Sequence, residues 1–239
     1  AAIASVPRSV EDPVGTHGVN ATGTLHALEA ARRAGARRFV LASSTAVYGD
    51  DPQLPKREDM PCDPRSPYAL QKLVGELYCE QYARLFGLEA VALRYFNVFG
   101  PRQDPSSMYA GVIPRFVTAL SSGTRPRIFG DGLQSRDFVY VADVVEANRA
   151  CALAPAALAG KAINVGRGVR TTLLELLQRI GEALGRPVPE PSFEPERVGD
   201  VRHSQADVSR AEAWLGFRAR VPLDEALRET VRWYAEVGA

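Results

Sequence analysis

Arg38-Phe39-Val40-Leu41-Ala42-Ser43-Ser44-Thr45-Ala46-Val47-Tyr48-Gly49 is a short apolar run that ends abruptly in hydroxyls and a glycine. Its aromatic and β-branched residues predict a strand over 37–43. A polar, Pro-rich loop from Asp50 to Pro67 follows, and then the spacing predicts a helix from Tyr68 to Leu85 that stops near Gly87. Glu89 to Tyr95 reads as a second strand. On the other side, Asp12-Pro13 opens a helix running to about Ala34, with Val19, Leu25, Leu28 and Ala31 as apolar positions and Gly35 as its stop. Helix alternating with strand is the pattern of an α/β fold with a parallel sheet. Beyond Pro101 the pattern loosens, with helices predicted near 110–122, 142–153, 172–184, 207–215 and 223–236. The fourth has Asp207 as N-cap and Gly216 as stop.

The second helix carries the chemistry. Tyr68 and Lys72 lie four residues apart, so phenol and ammonium project from one face. An ammonium beside a phenol favours phenolate and lowers the phenol's pKa from about 10. Tyr68 is therefore a candidate base near neutral pH, and the hydroxyls at the preceding strand's tip could pass a proton between it and an alcohol. Together these groups read as alcohol–carbonyl redox chemistry. A Tyr-x-x-x-Lys pair alone also fits an ordinary exposed helix. The composition favours the functional reading: 26 of the 29 basic residues are Arg, yet this position keeps Lys. A planar guanidinium does not replace a compact ammonium.

Composition narrows the remaining classes. A net charge of +1 with scattered arginines gives no pointer to nucleic acid or a membrane surface. No apolar run approaches the ~20 residues that span a bilayer. Three cysteines (Cys62, Cys79 and Cys151), odd in number and without C-x-x-C spacing, fit a reducing, cytoplasmic setting. His17, His26 and His203 are too dispersed for a metal site, so no metal is expected.

Several blocks then carry a resemblance. They are Ser44 to Gly49, Ser66-Pro67-Tyr68-Ala69-Leu70-Gln71-Lys72, Leu93-Arg94-Tyr95-Phe96-Asn97-Val98-Phe99-Gly100-Pro101-Arg102, Gly130-Asp131-Gly132, Ser135-Arg136-Asp137-Phe138, Asn164-Val165-Gly166 and Gly199-Asp200-Val201-Arg202-His203-Ser204. In this order, and almost end to end, they resemble the extended short-chain dehydrogenase/reductase family, nearest its UDP-sugar 4-epimerase branch. The resemblance implies a partial Rossmann-like, doubly wound parallel sheet with a smaller C-terminal α/β substrate-binding domain. Residues 1–100, with parts of 138–166, would form the NAD-binding part, and 101–137 with 167–239 the substrate-binding part. It also implies NAD as cofactor, a UDP-sugar as substrate, epimerisation at C4 through a 4-keto sugar, and a homodimer through the 13–34 and 67–86 helices.

Residue roles follow from the same resemblance. Tyr68 is the general base and acid for the sugar 4-hydroxyl, Lys72 its partner and a ligand of the nicotinamide ribose, and Ser44 the proton relay. Ala2, Asn20, Ser43 and Phe96 fall at NAD-contacting positions. Asn97 matches a sugar- or phosphate-contacting amide, and Phe129 the position that packs on uracil, with plain core as the competing reading. Arg136 and Arg197 match diphosphate ligands, where bidentate guanidinium–phosphate bonds hold the nucleotide still. Asp200 accompanies them in the Gly-Asp-Val-Arg-His-Ser block. Ser204 matches the residue that gates the sugar pocket, and a small side chain there leaves room for an N-acetyl group, favouring UDP-GlcNAc/UDP-GalNAc with or without UDP-Glc/UDP-Gal.

Two features set alternatives beside this reading. Sugar 4,6-dehydratases carry an acidic pair where this chain has Ser44-Thr45-Ala46, which argues against dehydration. No G-x-x-G-x-x-G turn opening a helix occurs in the 239 residues. About two βα units, each part of a βαβ of 30 or more residues, are therefore expected to be missing from a longer product, leaving sheet edges prone to aggregation. A UDP-glucuronate epimerase or decarboxylase, and an inactive nucleotide-sugar-binding fragment, are the competing functions.

Overall fold

A computed structural model describes residues 2–103, 111–155, 157–196 and 201–236. The N-terminal helical segment is built in pieces. α1 (Val6–Glu11) is capped by Ser5, whose hydroxyl accepts from Arg8 N at 3.1 Å. α2 (Pro13–His17) is capped by Asp12, which accepts from Gly15 N at 2.9 Å. A π-helical turn (Gly18–Thr22) then runs into α3 (Gly23–Arg33). The predicted rod from 13 to 34 is thus present but wound with one wide turn. That turn buries the Asn20 amide, which an unbroken α-helical pattern does not anticipate.

β1 (Arg38–Ser44) leads through a 3₁₀ turn (Thr45–Tyr48) to Gly49. Gly49 has φ 65°, and a Cβ there would strike the Asp63 carbonyl, so both conformation and space require glycine. α4 (Pro67–Phe86) starts at an N-capping Ser66, with Pro67 in its first turn, and ends at Gly87 in the left-handed region. β2 (Glu89–Tyr95) pairs parallel to β1 from Arg38↔Glu89 to Ser44↔Tyr95. The chain continues through β3 (Asn97–Phe99), α5 (Val112–Ser121), β4 (Arg127–Phe129), β5 (Ser135–Arg136), β6 (Phe138–Tyr140) and α6 (Val141–Leu153). β7 (Ala162–Val165) then returns to pair with β2, giving a parallel sheet of order β1-β2-β7. β8 (Thr171–Thr172), α7 (Leu173–Leu184), β9 (Ser192–Glu194), α8 (Ser209–Leu215) and α9 (Leu223–Glu236) complete the fold. Asp207 lies one residue outside the cap of α8. Its carboxylate accepts from Ser209 N at 2.9 Å in a local turn, and Val208 takes the cap position instead.

Interior positions of β2 are all buried, as expected of a parallel strand covered on both faces. One face packs Leu41, Ala90 and Ala92 against Cys79 and Tyr82 of α4 and Leu28 of α3. The other packs Val91, Leu93 and Ile163 against Val144, Ala147 and Cys151 of α6. A third core joins Phe116 of α5, Ile180 of α7 and Leu227 of α9 around Phe99 and Ile128. Short parallel pairs, β3 with β6 and β4 with β9, connect these layers. Among the described residues, no helix is long and apolar enough to cross a membrane.

Candidate active site

The site forms where β1 ends and α4 begins. α4 is seated by the segment before it: Tyr68 N donates to Ser9 Oγ at 3.0 Å, and Gln71 Nε2 donates to Thr16 Oγ1 at 3.0 Å. Tyr68 is half-buried and Lys72 only 8% exposed, so neither faces bulk solvent. The Lys72 ammonium lies 5.8 Å from the centroid of the Tyr68 ring and donates to Ala42 O at 2.8 Å. No carboxylate pairs with it among the described residues. A buried ammonium with one carbonyl partner retains donors for a ligand's hydroxyls, which is what a nicotinamide ribose offers. Ser44, at the tip of β1, accepts from Ala46 N at 3.2 Å and lies near enough to Tyr68 to draw the phenol's pKa down.

The protonation state differs from the sequence expectation. Burial pushes the Tyr68 phenol above its ordinary value, and the Ser44 contact only partly offsets this. Burial likewise depresses Lys72. Without ligand, desolvation therefore outweighs the attraction that the four-residue spacing suggests, because the ammonium is turned toward the Ala42 carbonyl rather than onto the phenol oxygen.

Three residues expected at cofactor-contacting positions, Asn20, Ser43 and Phe96, have side chains with protein partners. The Asn20 amide is engaged inside the protein: Oδ1 accepts from Ile3 N at 2.8 Å, while Nδ2 donates to Ile3 O at 3.1 Å and to Gln71 Oε1 at 2.8 Å. These bonds fix the backbone at Ile3, between the exposed Ala2 and Ala4. The Ser43 hydroxyl is buried and donates to Glu76. Phe96 is buried with Val47, Tyr48, Met60 and Ala206, so its ring is core.

Behind the constellation, Glu76 lies one turn beyond Lys72 and meets Arg94 of β2 at 2.7 Å, with side chains 9% and 6% exposed. Arg94 also approaches Cys62 Sγ at 3.3 Å and lies over the Tyr48 ring at 4.8 Å. The pair ties α4 to both strands. A cavity of about 460 Å³ lies behind it, lined by Cys62, Glu76, Arg94, Lys161 and Arg210 rather than by Tyr68 or Lys72.

The expected substrate residues gather around β4, β5 and the segment 201–206. Asn97 is half-buried, and its backbone N–H donates to Asp137 O at 3.0 Å. Phe129 ends β4, half-buried and outside the core clusters, which counts against the plain-core reading. Arg136 donates to Ser135 O at 3.0 Å and Arg202 O at 3.3 Å. Ser204 is 6% exposed, and its hydroxyl is buried without a hydrogen-bond partner, a polar atom left for a ligand. Arg197 and Asp200 lie outside the described residues.

Asp137 was not assigned a role from sequence. It is fully buried and accepts from Arg167 N at 2.8 Å, Gly168 N at 2.9 Å and Ala206 N at 3.0 Å. Burial raises its carboxyl's pKa despite these three donors. Gly166 approaches so closely that a Cβ would lie 2.8 Å from Ala206 Cβ and 2.9 Å from Asp137 Oδ2. Asp137 therefore clamps the turn after β7 to the segment bearing Ser204. The position of Asp137 beside Arg136 was visible in sequence, but its partners lie 30 to 69 residues away.

Comparison with known proteins agrees with this geometry. The family model described as the NAD dependent epimerase/dehydratase family matches residues 1–166. A UDP-glucose 4-epimerase of Mycolicibacterium smegmatis is 46% identical over 235 residues, covering 98% of this chain and 74% of that protein. Among solved structures, a UDP-N-acetylglucosamine 4-epimerase from Methanobrevibacter ruminantium M1, in complex with UDP-N-acetylmuramic acid, superposes with TM-score 0.95 at 40% identity, covering 99% of this chain and 75% of that one. A UDP-glucose 4-epimerase from Thermotoga maritima with UDP-glucose gives TM-score 0.94 at 37% identity, covering 100% and 76%. The chain belongs to the NAD dependent epimerase/dehydratase family.

Proposed function

We propose that the protein epimerises a UDP-linked sugar at C4, using NAD as a resident cofactor and Tyr68 as the group that removes and restores the hydroxyl proton. The observation that carries this is the convergence of Tyr68, Lys72 and Ser44 at one strand tip, shielded from solvent. Lys72 holds ribose hydroxyls and presents positive charge beside the ring, while Ser44 orients the proton. Ala2 and its neighbours, fixed by Asn20, line the cofactor side. When bound, NAD supplies the hydride acceptor for C4 and a positive nicotinamide ring that favours phenolate at Tyr68.

Arg136, with Arg197, holds the diphosphate, Asn97 contacts the sugar or phosphate, and Phe129 lies on the uracil. Asp200 supports this edge. The buried, unpartnered hydroxyl and small size of Ser204 support acceptance of an N-acetylhexosamine alongside hexoses. Residues 1–100, with parts of 138–166, form the cofactor-binding part, and 101–137 with 167–239 the substrate-binding part. Dehydration is disfavoured because Glu76, the acid nearest along α4, is spent on Arg94 and Ser43. The three free thiols support a reducing, cytoplasmic location, and exposed apolar residues on α4 support a homodimer.

Tyr68→Phe is the test. With NAD supplied, interconversion of UDP-glucose and UDP-galactose by the full chain should fall by about 10²- to 10⁴-fold, while UDP-glucose affinity stays unchanged. Undiminished turnover refutes the assignment. A wild-type chain that binds UDP-glucose but never turns it over is instead a nucleotide-sugar-binding module.

A further inference from the structure

We propose that Asn164 is a positioning residue: it joins the turn that follows Ser44 to the segment that bears Ser204, and so sets the spacing of the two walls between which the sugar lies. The inference rests on the substrate-site reading above and adds to it a residue that touches neither sugar nor cofactor.

Asn164 belongs to β7, is paired with Arg94 of β2 and is 0% exposed. Its side-chain amide is used completely. Oδ1 accepts from the Tyr48 hydroxyl at 2.7 Å, while Nδ2 donates to Lys56 O at 2.8 Å and to Asp207 O at 3.2 Å. Its backbone N–H donates to Glu58 Oε1 at 2.8 Å.

Only one orientation of this amide fits. Two carbonyl oxygens face Nδ2, so turning the amide over sets Oδ1 against groups that cannot donate. Tyr48 is then the donor to Oδ1. Burial pushes the Tyr48 phenol up to about 12, so it keeps its proton at any working pH.

Each end of the amide reaches one wall. Tyr48, 1% exposed, closes the 3₁₀ turn whose first N–H groups are capped by Ser44. On the other side, Lys56 forms a parallel bridge with Ala206. Lys56 N donates to Gln205 O at 2.8 Å, and Asp207 N donates to Lys56 O at 2.9 Å. Lys56 O thus accepts from both Asp207 N and Asn164 Nδ2, which uses both of its lone pairs. Ser204 directly precedes this bridge. Asp137 holds the same segment to the turn after β7, whereas the Tyr48–Asn164 bond holds it to the tip of β1.

The diphosphate edge moves with the Ser204 wall. Ser204 N donates to Ser135 O at 3.0 Å, beside Arg136. UDP alone therefore engages one wall, and an attached sugar spans both. A hydrogen bond between the walls counts toward the sugar's share of the affinity and not toward the nucleotide's.

Tyr48→Phe tests this, because it deletes one hydroxyl from the tie and keeps the ring. The full chain is titrated calorimetrically with UDP-glucose and with UDP at one pH. The variant should bind UDP-glucose about three- to tenfold more weakly than wild type, the scale of one net hydrogen bond. It should bind UDP as wild type does. Equal weakening of both ligands makes the bond a structural tie only and overturns the inference, as does unchanged affinity for both. A second measurement needs no variant. In the wild-type chain, hydrogen exchange of the Lys56, Asn164 and Asp207 amides should slow by a common factor with UDP-glucose and by less with UDP. Equal slowing by the two ligands, or unrelated factors at the three amides, overturns the inference even where Tyr48→Phe does not fold. A folded wild-type chain that binds neither ligand overturns the site reading, and the inference falls with it.

Discussion

Lys72, proposed above to hold ribose hydroxyls, is a costly group for the ligand-free protein. It is buried, has one carbonyl partner, and has its pKa depressed from 10.5 by desolvation. A base with a depressed folded pKa contributes least stability below that pKa, where the ammonium stays charged and buried. Lys72→Met should therefore raise the stability of the ligand-free chain by about 1 kcal/mol at pH 7. The gain should shrink as pH rises through the depressed folded pKa toward 10.5. Urea midpoints across that range provide the check, and a Lys72→Met variant less stable at pH 7 would show that the Ala42 bond outweighs desolvation. Tyr68, Lys72 and Ser44 were legible in the sequence because helix spacing and a strand end fix their relation locally. Their protonation was not, because burial depends on the whole tertiary surround. The same reason hid the internal engagement of Asn20 by Ile3 and Gln71, 17 and 51 residues away.

The register of α4 on the sheet depends on Glu76. Tyr68, Lys72 and Glu76 follow at successive turns, so one helical face carries phenol, ammonium and carboxylate. Glu76 takes Arg94 from β2 and Ser43 from β1, which fixes the height at which Tyr68 meets the tip of β1. Removing one partner leaves the other charge buried. Glu76→Ala or Arg94→Ala alone should each cost about 3–5 kcal/mol, whereas Glu76→Leu with Arg94→Met should cost much less than the sum. Chemical denaturation of the four proteins of the cycle measures this, and strict additivity would show that the two side chains do not interact. Helix stops were readable because capping is local: Gly87 and Gly216 end helices where the sequence indicates, whereas α4 starts at Pro67, one residue earlier than expected. The π-helical turn was not, since it is chosen by what Asn20 reaches across the fold rather than by its neighbours. Short strands such as β5 and β8 are equally silent in sequence, because two residues give no periodicity.

Among the described residues, exposed large apolar side chains recur on α4 and on the N-terminal helical segment beside it. Leu70 and Leu77 of α4 are 52% and 51% exposed, seven residues apart, with half-buried Val74 between them. This i, i+4, i+7 stripe lies on the helix face turned away from the sheet, where a second copy of α4 offers a matching stripe. Val14 and Val10 of the N-terminal helices, 82% and 63% exposed, add apolar area in the segment packed beside α4. The dimer proposed above would cover leucines that packing within one chain leaves exposed. In that arrangement Leu70→Glu with Leu77→Glu should convert the dimer to a monomer, as measured by light scattering during size exclusion. Because both side chains are exposed in the single chain, the double variant should keep its monomer stability to within about 1 kcal/mol. A wild-type chain that is monomeric at high concentration would remove the dimer. A variant that unfolds outright would show that these leucines support the chain's own fold. The substitutions lie at Tyr68's helix but on its far side, so UDP-glucose binding by the monomeric variant separates assembly from the site itself.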